Sequence, residues 1–192
     1  MNIAILSTSS RAHSNTARVG KAIEHYFENH PEKHLIFRPD FTQYDIPFFN
    51  EAYLDPQKLS SFQQEVVDAL TQSQLVFFLS PEYNWFPSAE AVNLLHQLGN
   101  RKFMSCWENK TWATVGISSG RGGRIPSVQL GYVLNKIIGH LGAFSQVSAK
   151  NFESQFTPHV LDEQGLSLGN QEYDQGLESF LVYNYELAKK LG

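Results

Sequence analysis

Three short stretches of the chain concentrate side chains able to hold a planar, phosphorylated ligand. In residues 75–87, LVFFLSPEYNWFP, an apolar run meets an abrupt turn. Pro81 removes a backbone donor there, and Glu82, Tyr83, Asn84 and Trp85 then offer a carboxylate, a flat ring, an amide and a second ring in succession. Such a loop can stack on a planar ligand and bond its edge, or simply close a surface turn on the core through its aromatics. In residues 7–17, STSSRAHSNTA, hydroxyls at Ser7, Ser9, Ser10, Ser14 and Thr16 accompany Arg11. Hydroxyls, a guanidinium and free helix amides make a phosphate cradle, although a serine-rich loop also serves as a helix cap. In residues 118–124, SSGRGGR, the glycines Gly120, Gly122 and Gly123 permit close backbone approach while Arg121 and Arg124 supply charge. The alternative is that these glycines only shape a turn.

Each stretch needs flanking elements to aim it. Residues 2–6 read as a short apolar strand, and Val19, Ile23, Tyr26 and Phe27 recur at helical spacing up to Asn29. The serine-rich loop thus lies between a strand and a helix N-terminus, where unsatisfied amides carry partial positive charge. The run from Leu75 reads as a strand buried on both faces. A helix marked by Leu59, Phe62, Val66, Ala69 and Leu70 precedes it, and a shorter one marked by Ala91, Leu94, Leu95 and Leu98 follows. Residues 111–118 are a further strand, feeding through the glycine-rich loop into a helix striped by Leu130, Val133, Leu134, Ile137, Ile138 and Leu141. Residues 34–38 and 144–149 supply the second and fifth strands, and residues 172–191 the closing helix. Residues 39–56, with prolines and several aromatics, read as a long loop over one face of the sheet, and residues 157–170 as a polar loop.

This alternation, unbroken by repeat or linker, predicts one domain over residues 1–192. Its class is α/β, three layers α/β/α, around a five-stranded parallel sheet in the order 2-1-3-4-5. In that order a ligand lies beyond the carboxyl ends of strands 1 and 3, where the winding reverses. The serine-rich loop and the PEYN loop therefore meet in one crevice, with the glycine-rich loop beside them.

Composition narrows the function. At 192 residues the chain can bury a full core without disulfides or structural metal. A net charge of -4 gives no footprint for nucleic acid. The lone Cys106 excludes an internal disulfide and reads as a buried or incidental thiol in a cytoplasmic setting. MNIAIL reads as a first strand, not a signal peptide, and no apolar run approaches membrane-spanning length, so no membrane partner is expected. The seven histidines show no paired metal spacing. No G-x-S-x-G elbow, Walker A sequence or dinucleotide fingerprint after strand 1 is present, which removes hydrolase and ATPase chemistry.

On the motifs TSSRAHSNT, SPEYNWFPSAEAVN and SSGRGGR, nearly the whole chain resembles the NAD(P)H-dependent FMN reductase family. These are flavodoxin-like proteins that include azoreductases and quinone or chromate reductases. PEYN, with its distance to Asn93, is the specific element. The resemblance implies FMN as cofactor, NADPH or NADH as co-substrate, and a small-molecule electron acceptor such as a quinone, an azo compound, a metal oxyanion or free flavin. It implies that Ser9, Arg11, Ser14, Asn15 and Thr16 hold the FMN phosphate, and that Pro81, Glu82, Tyr83 and Asn84 border the ribityl chain and isoalloxazine. Ser119, Gly120, Arg121, Gly122 and Gly123 would approach the pyrimidine side of the ring. A homodimer or homotetramer is implied as well, with Trp85, Phe86, Phe103 and Trp107 expected as an exposed apolar patch. No catalytic acid or base is expected, because the flavin carries the chemistry. The chain departs from the family pattern at Thr8, where Gly is common, at Ser88, where Pro is usual, and at Glu90 and Val92 in the helix that follows. An FMN-holding electron carrier and a cofactor-free regulatory or interaction protein stand as alternatives on the same fold.

Overall fold

Strands that are apolar on both faces must be covered by helices on both sides. A computed structural model describing residues 1–191 has that arrangement. In chain order the elements are β1 (Asn2–Ser7), α1 (Asn15–Glu28), β2 (Leu35–Phe37), α2 (Ser61–Gln72), β3 (Leu75–Pro81), α3 (Ala89–Leu98), β4 (Thr111–Ile117), α4 (Arg124–Leu141), β5 (Gln146–Val147), β6 (Phe152–Ser154), α5 (Thr157–Val160) and α6 (Gln171–Leu191). All pairings are parallel, in the order β2-β1-β3-β4-β5 with β6 also on β4. The centre is β3, whose residues 75–81 pair one for one with residues 111–117 of β4. Every residue of both strands is buried.

The period of two along the strands sorts the core into halves. Ile3, Ile5, Leu75, Phe77, Leu79, Ala113 and Val115 face α1 and α6, packing on Val19, Ile23, Phe27, Phe180 and Leu181. Ala4, Leu6, Val76, Phe78 and Trp112 face the other way, onto residues of α2, α3 and α4 such as Val66, Leu94 and Leu134.

Sequence and structure part company in five places. The fifth strand is not the continuous run 144–149. Gln146–Val147 pairs with the start of β4 and Phe152–Ser154 with its end. In between, the Ser148 hydroxyl accepts from Lys150 N–H and donates to Lys150 C=O, a local turn that competes with the ladder. Phe144 lies before the strand and is 76% exposed. Residues 34–38 contract to the three-residue β2. The polar loop 157–170 begins with the short helix α5. Finally, Phe103 and Trp107 are not surface residues, at 2% and 1% exposure. Trp107 stacks on Trp112 at 5.1 Å and its indole N–H donates to Leu98 C=O at 2.8 Å, closing an orphan carbonyl at the end of α3. Val133 errs in the opposite sense, lying on the outer side of α4 at 38% exposure.

At the end of the sheet away from the crevice, Lys110 is 1% exposed and its ammonium donates to Ser73 C=O at 3.3 Å. Burial pushes its pKa down to about 8, with only partial relief from Cys106 and Glu108. Between that value and the ordinary lysine range the unfolded chain binds the proton more readily than the folded one, so stability must rise with pH across that window. The penalty in place below it is about 3 kcal/mol. We expect Lys110→Met to stabilise the protein at pH 7 by about 1–3 kcal/mol and to flatten this rise. Urea titrations of both proteins at pH 7 and pH 10 measure the difference.

Candidate functional site

The crevice is built outward from the junction of β1 and β3. Beyond the last paired residues, Ser7 and Leu79, Thr8 donates both its N–H, at 3.0 Å, and its hydroxyl, at 2.6 Å, to Leu79 C=O. The loop that follows is therefore launched from a fixed point. It ends at Ser14, the N-cap of α1, whose hydroxyl oxygen accepts Ala17 N–H at 3.1 Å. A single cap satisfies only one of the orphan amides of a first turn. Among the described residues the N–H groups of Asn15 and Thr16 have no partner. The buried hydroxyls of Ser9 and Thr16 have none either. Ser7 is a different case, since its Oγ fills the space over Gly20 that a Cβ there would need. Unpartnered amides and hydroxyls at a helix N-terminus, with the positive end of the helix dipole, are the donor set that an anionic oxygen cluster requires.

The PEYN loop folds as a tight hairpin. Pro81 still pairs with Ile117, and Glu82 N–H donates to Ile117 C=O at 2.7 Å. Tyr83 and Phe86 exchange two backbone hydrogen bonds at 3.0 Å. The two residues between them, Asn84 and Trp85, have φ of 48° and 65°, as a type I′ turn demands. Asn tolerates that region, whereas Trp is strained there by roughly 1–2 kcal/mol. Trp85 stands 67% exposed at the tip. Behind it, the Arg11 guanidinium lies 5.5 Å from the centroid of the Tyr83 ring, which joins the first loop to the second. No carboxylate pairs with Arg11 among the described residues, so its charge is available to an anion.

The glycine-rich loop is held by Glu82. Gly123 N–H donates to Glu82 Oε2 at 2.6 Å, and a Cβ on Gly122 would sit 2.6 Å from Glu82 Oε1. Gly123 has φ of 93° and lies against β4 so closely that a Cβ on Gly116 would run into its carbonyl oxygen. Close approach here is a matter of backbone on backbone. Gly120 donates its N–H to Ser118 Oγ and accepts from Phe156 N–H, while Arg121 is exposed and Arg124 reaches toward Glu153 at 3.9 Å.

A cavity of about 290 Å³ opens among the three loops, lined by residues 11–16, Pro81, Glu82, Tyr83, Ile117 and Ser119. Of the residues singled out in the sequence, Arg11, Ser14, Asn15, Thr16, Pro81, Glu82, Tyr83 and Ser119 line it. Ser9 lies buried beside it, Asn84 stands at the hairpin tip, and Gly120, Arg121, Gly122 and Gly123 form the loop behind Glu82. Sequence reasoning passed over Ile117 and Gly116, at the end of β4. A glycine inside an apolar strand was the signal for the second, since it marks close backbone approach.

Asn93 serves a different purpose from the crevice. Its amide donates to Tyr44 Oη and Pro47 C=O and accepts Phe49 N–H at 2.9 Å. One turn on, Gln97 donates to Pro47 and Ala52 carbonyls and accepts Leu54 N–H. Together they pin the long loop 44–54 onto α3.

A parallel sheet of this order, with a cavity at the β1/β3 crossover, defines a flavodoxin-like protein. Solved structures agree on the fold. FerB, a flavoenzyme NAD(P)H:(acceptor) oxidoreductase from Paracoccus denitrificans, superposes with a TM-score of 0.72 at 16% identity, over 100% of this chain and 98% of that one. An azoreductase from Bacillus anthracis gives 0.53 at 15% identity, over 98% and 99%. A flavodoxin, a WrbA-like protein from Agrobacterium tumefaciens, gives 0.53 at 15% identity, over 99% and 96%. No curated protein matches the chain in sequence. The chain belongs to the NADPH-dependent FMN reductase family, whose model matches residues 1–153. It is therefore an NAD(P)H-dependent oxidoreductase with FMN as its cofactor and a small-molecule acceptor. No helix among the described residues is long and apolar enough to cross a membrane.

The contact between Gly116 and Gly123 yields a direct test. Gly116→Ala should force the glycine-rich loop off β4 and cost about 1–3 kcal/mol. For a chain of this length that corresponds to a fall in Tm of roughly 2–4 °C per kcal/mol, readable by differential scanning calorimetry.

Proposed function

We propose that FMN lies in the crevice between the three loops, with its phosphate at the first turn of α1. The observation that carries this is the donor set there: two amides and two buried hydroxyls without partners, beside the unpaired Arg11. Ser9, Ser14, Asn15 and Thr16 would donate to phosphate oxygens while Arg11 neutralises charge. Ser14 can do this while capping, because its oxygen accepts from Ala17 and its proton stays free. Pro81, Glu82, Tyr83 and Asn84 would border the ribityl chain and ring, and Ser119, Gly120, Arg121, Gly122 and Gly123 the pyrimidine side, with Gly123 acting through Glu82. When bound, the flavin supplies the chemistry, taking hydride from the nicotinamide and passing electrons to a quinone, azo compound, metal oxyanion or free flavin. The protein's part is to bind, orient and shield.

The native protein should be yellow, and its flavin absorbance should bleach when NADH or NADPH is added without oxygen. Removing a charge-assisted contact costs about 1.5–3 kcal/mol, so Arg11→Ala should weaken FMN by roughly tenfold or more in a flavin titration. Unchanged affinity would take Arg11 out of the site.

We also propose that the chain works as a homodimer or homotetramer, assembled through the face between α3 and α4. Phe103 and Trp107 drop out of that surface because they are core. In their place stand Phe86, Val92, Val128, Tyr132 and Val133, all exposed, around an apolar groove of about 760 Å³. Solvent-facing apolar residues gathered on one face mark an interface. Light scattering at micromolar concentration should return a multiple of 21.8 kDa. Tyr132→Glu should shift it to the monomer with the fold intact by circular dichroism.

A further inference from the structure

The three positions at which this chain departs from its family's motifs and carries a polar group meet at a single junction. Thr8 and Ser88 are both fully buried. Thr8 bonds β3 as described, while the Ser88 hydroxyl donates to Thr8 C=O at 2.6 Å and accepts Ala91 N–H as the N-cap of α3. Ser88 N–H in turn donates to Ser80 Oγ at 2.8 Å. Glu90, in the first turn of α3, reaches across to the same loop, where its Oε1 accepts both Ser10 N–H, at 3.1 Å, and Ser10 Oγ–H, at 2.5 Å. Apart from the local bond of Ser9 N–H to Ser7 C=O, these are the hydrogen bonds among the described residues that tie residues 9–13 to another element. Ser9, with its unpartnered hydroxyl, and Arg11 flank the tethered residue on either side.

A carboxylate beside an anion site must have its charge absorbed, and here it does. Burial alone would raise the Glu90 carboxyl, but the two hydrogen bonds from Ser10 outweigh it and hold the group below the usual carboxylate range. The N-terminal end of α3 adds to that. The contact is thus an ionised latch between one helix and a loop held otherwise by its ends, at Thr8 and Ser14, by the Arg11 guanidinium over Tyr83, and by the approach of His13 to Glu163 at 3.6 Å.

We propose that Glu90 is a positioning residue for the cofactor's phosphate. It holds the loop after β1 in the form that presents Ser9 and Arg11, and so gives the site a preference for FMN over riboflavin, which shares the ring and ribityl chain and lacks the phosphate. This rests on the phosphate placement proposed above. Direct contact between Glu90 and the flavin is not required, because the effect runs through Ser10.

The test compares FMN and riboflavin binding, by fluorescence quenching, in the native protein, Glu90→Ala and Glu90→Gln, together with hydrogen exchange at the Ser10 amide in the flavin-free state. The alanine variant should bind FMN about tenfold more weakly and riboflavin within about twofold of native, since one charge-assisted tether is lost. It should also lose protection at Ser10. The glutamine variant keeps an acceptor oxygen for Ser10 and should recover most of both. A native preference for FMN that survives Glu90→Ala would overturn the role of Glu90 alone. Equal weakening of both flavins would do the same, since that is the mark of a scaffold residue. Equal affinity of the native protein for the two flavins would overturn the phosphate placement and this proposal with it.

Discussion

The parallel pairing of β1 with β3 is the constraint from which the site follows. Consecutive strands joined by a helix normally lie side by side, but here β2 is laid outside β1 and the chain returns to add β3 on the other flank. The α1 and α3 helices leave the sheet on opposite faces at that point, and a gap opens between their starting loops. Leu79 C=O lies at the hinge of the gap, taking two donors from Thr8. A one-residue slip there would exchange the faces of β1 and move Ile3 and Ile5 from one half of the core to the other. The apolar pattern of β1 therefore fixes the register, and the register sets the distance between the serine-rich loop and the PEYN hairpin.

Much of this was legible in the sequence because β1, β3 and β4 are apolar on both faces and bounded by sharp polar turns. The edge was less legible. Residues 144–149 have the composition of a strand, yet the edge has a partner on one side only, and a serine able to bond the backbone two residues on was enough to divert it. Aromatic residues misled for a related reason. Phe103 and Trp107 sit in a stretch without helical or strand period, so nothing in the sequence showed that their rings would fold back on Trp112 and α3. Hydrophobicity states that a ring wants burial and does not state where the burial is to be found.

At the site, the residue types named the crevice while their supports stayed hidden. Hydroxyls, an arginine and a glycine run announce themselves by composition. The Glu82 carboxylate that holds Gly123 depends on a contact across about 40 residues of chain that no local pattern encodes, and Gly116, though a glycine in an apolar strand marks close approach, does not name Gly123 as what approaches. Thr8 illustrates the point best. It stands where the family commonly has Gly, yet its φ is not positive, and its side chain serves as a clasp. Asn93 shows the converse, since its place relative to PEYN marks the fixing of the 44–54 loop and not a ligand contact.

The broken outer strand has a consequence for how the protein behaves at high concentration. An open sheet offers unpaired backbone groups along both margins, and a long straight margin invites another chain to add a strand and begin a fibre. One margin here is β2, only three residues long, and the other is interrupted between Val147 and Phe152, where Lys150 bends away to bond Ser179 on α6. Neither margin presents a run long enough to template a neighbour. The sheet is closed to growth without being closed into a barrel.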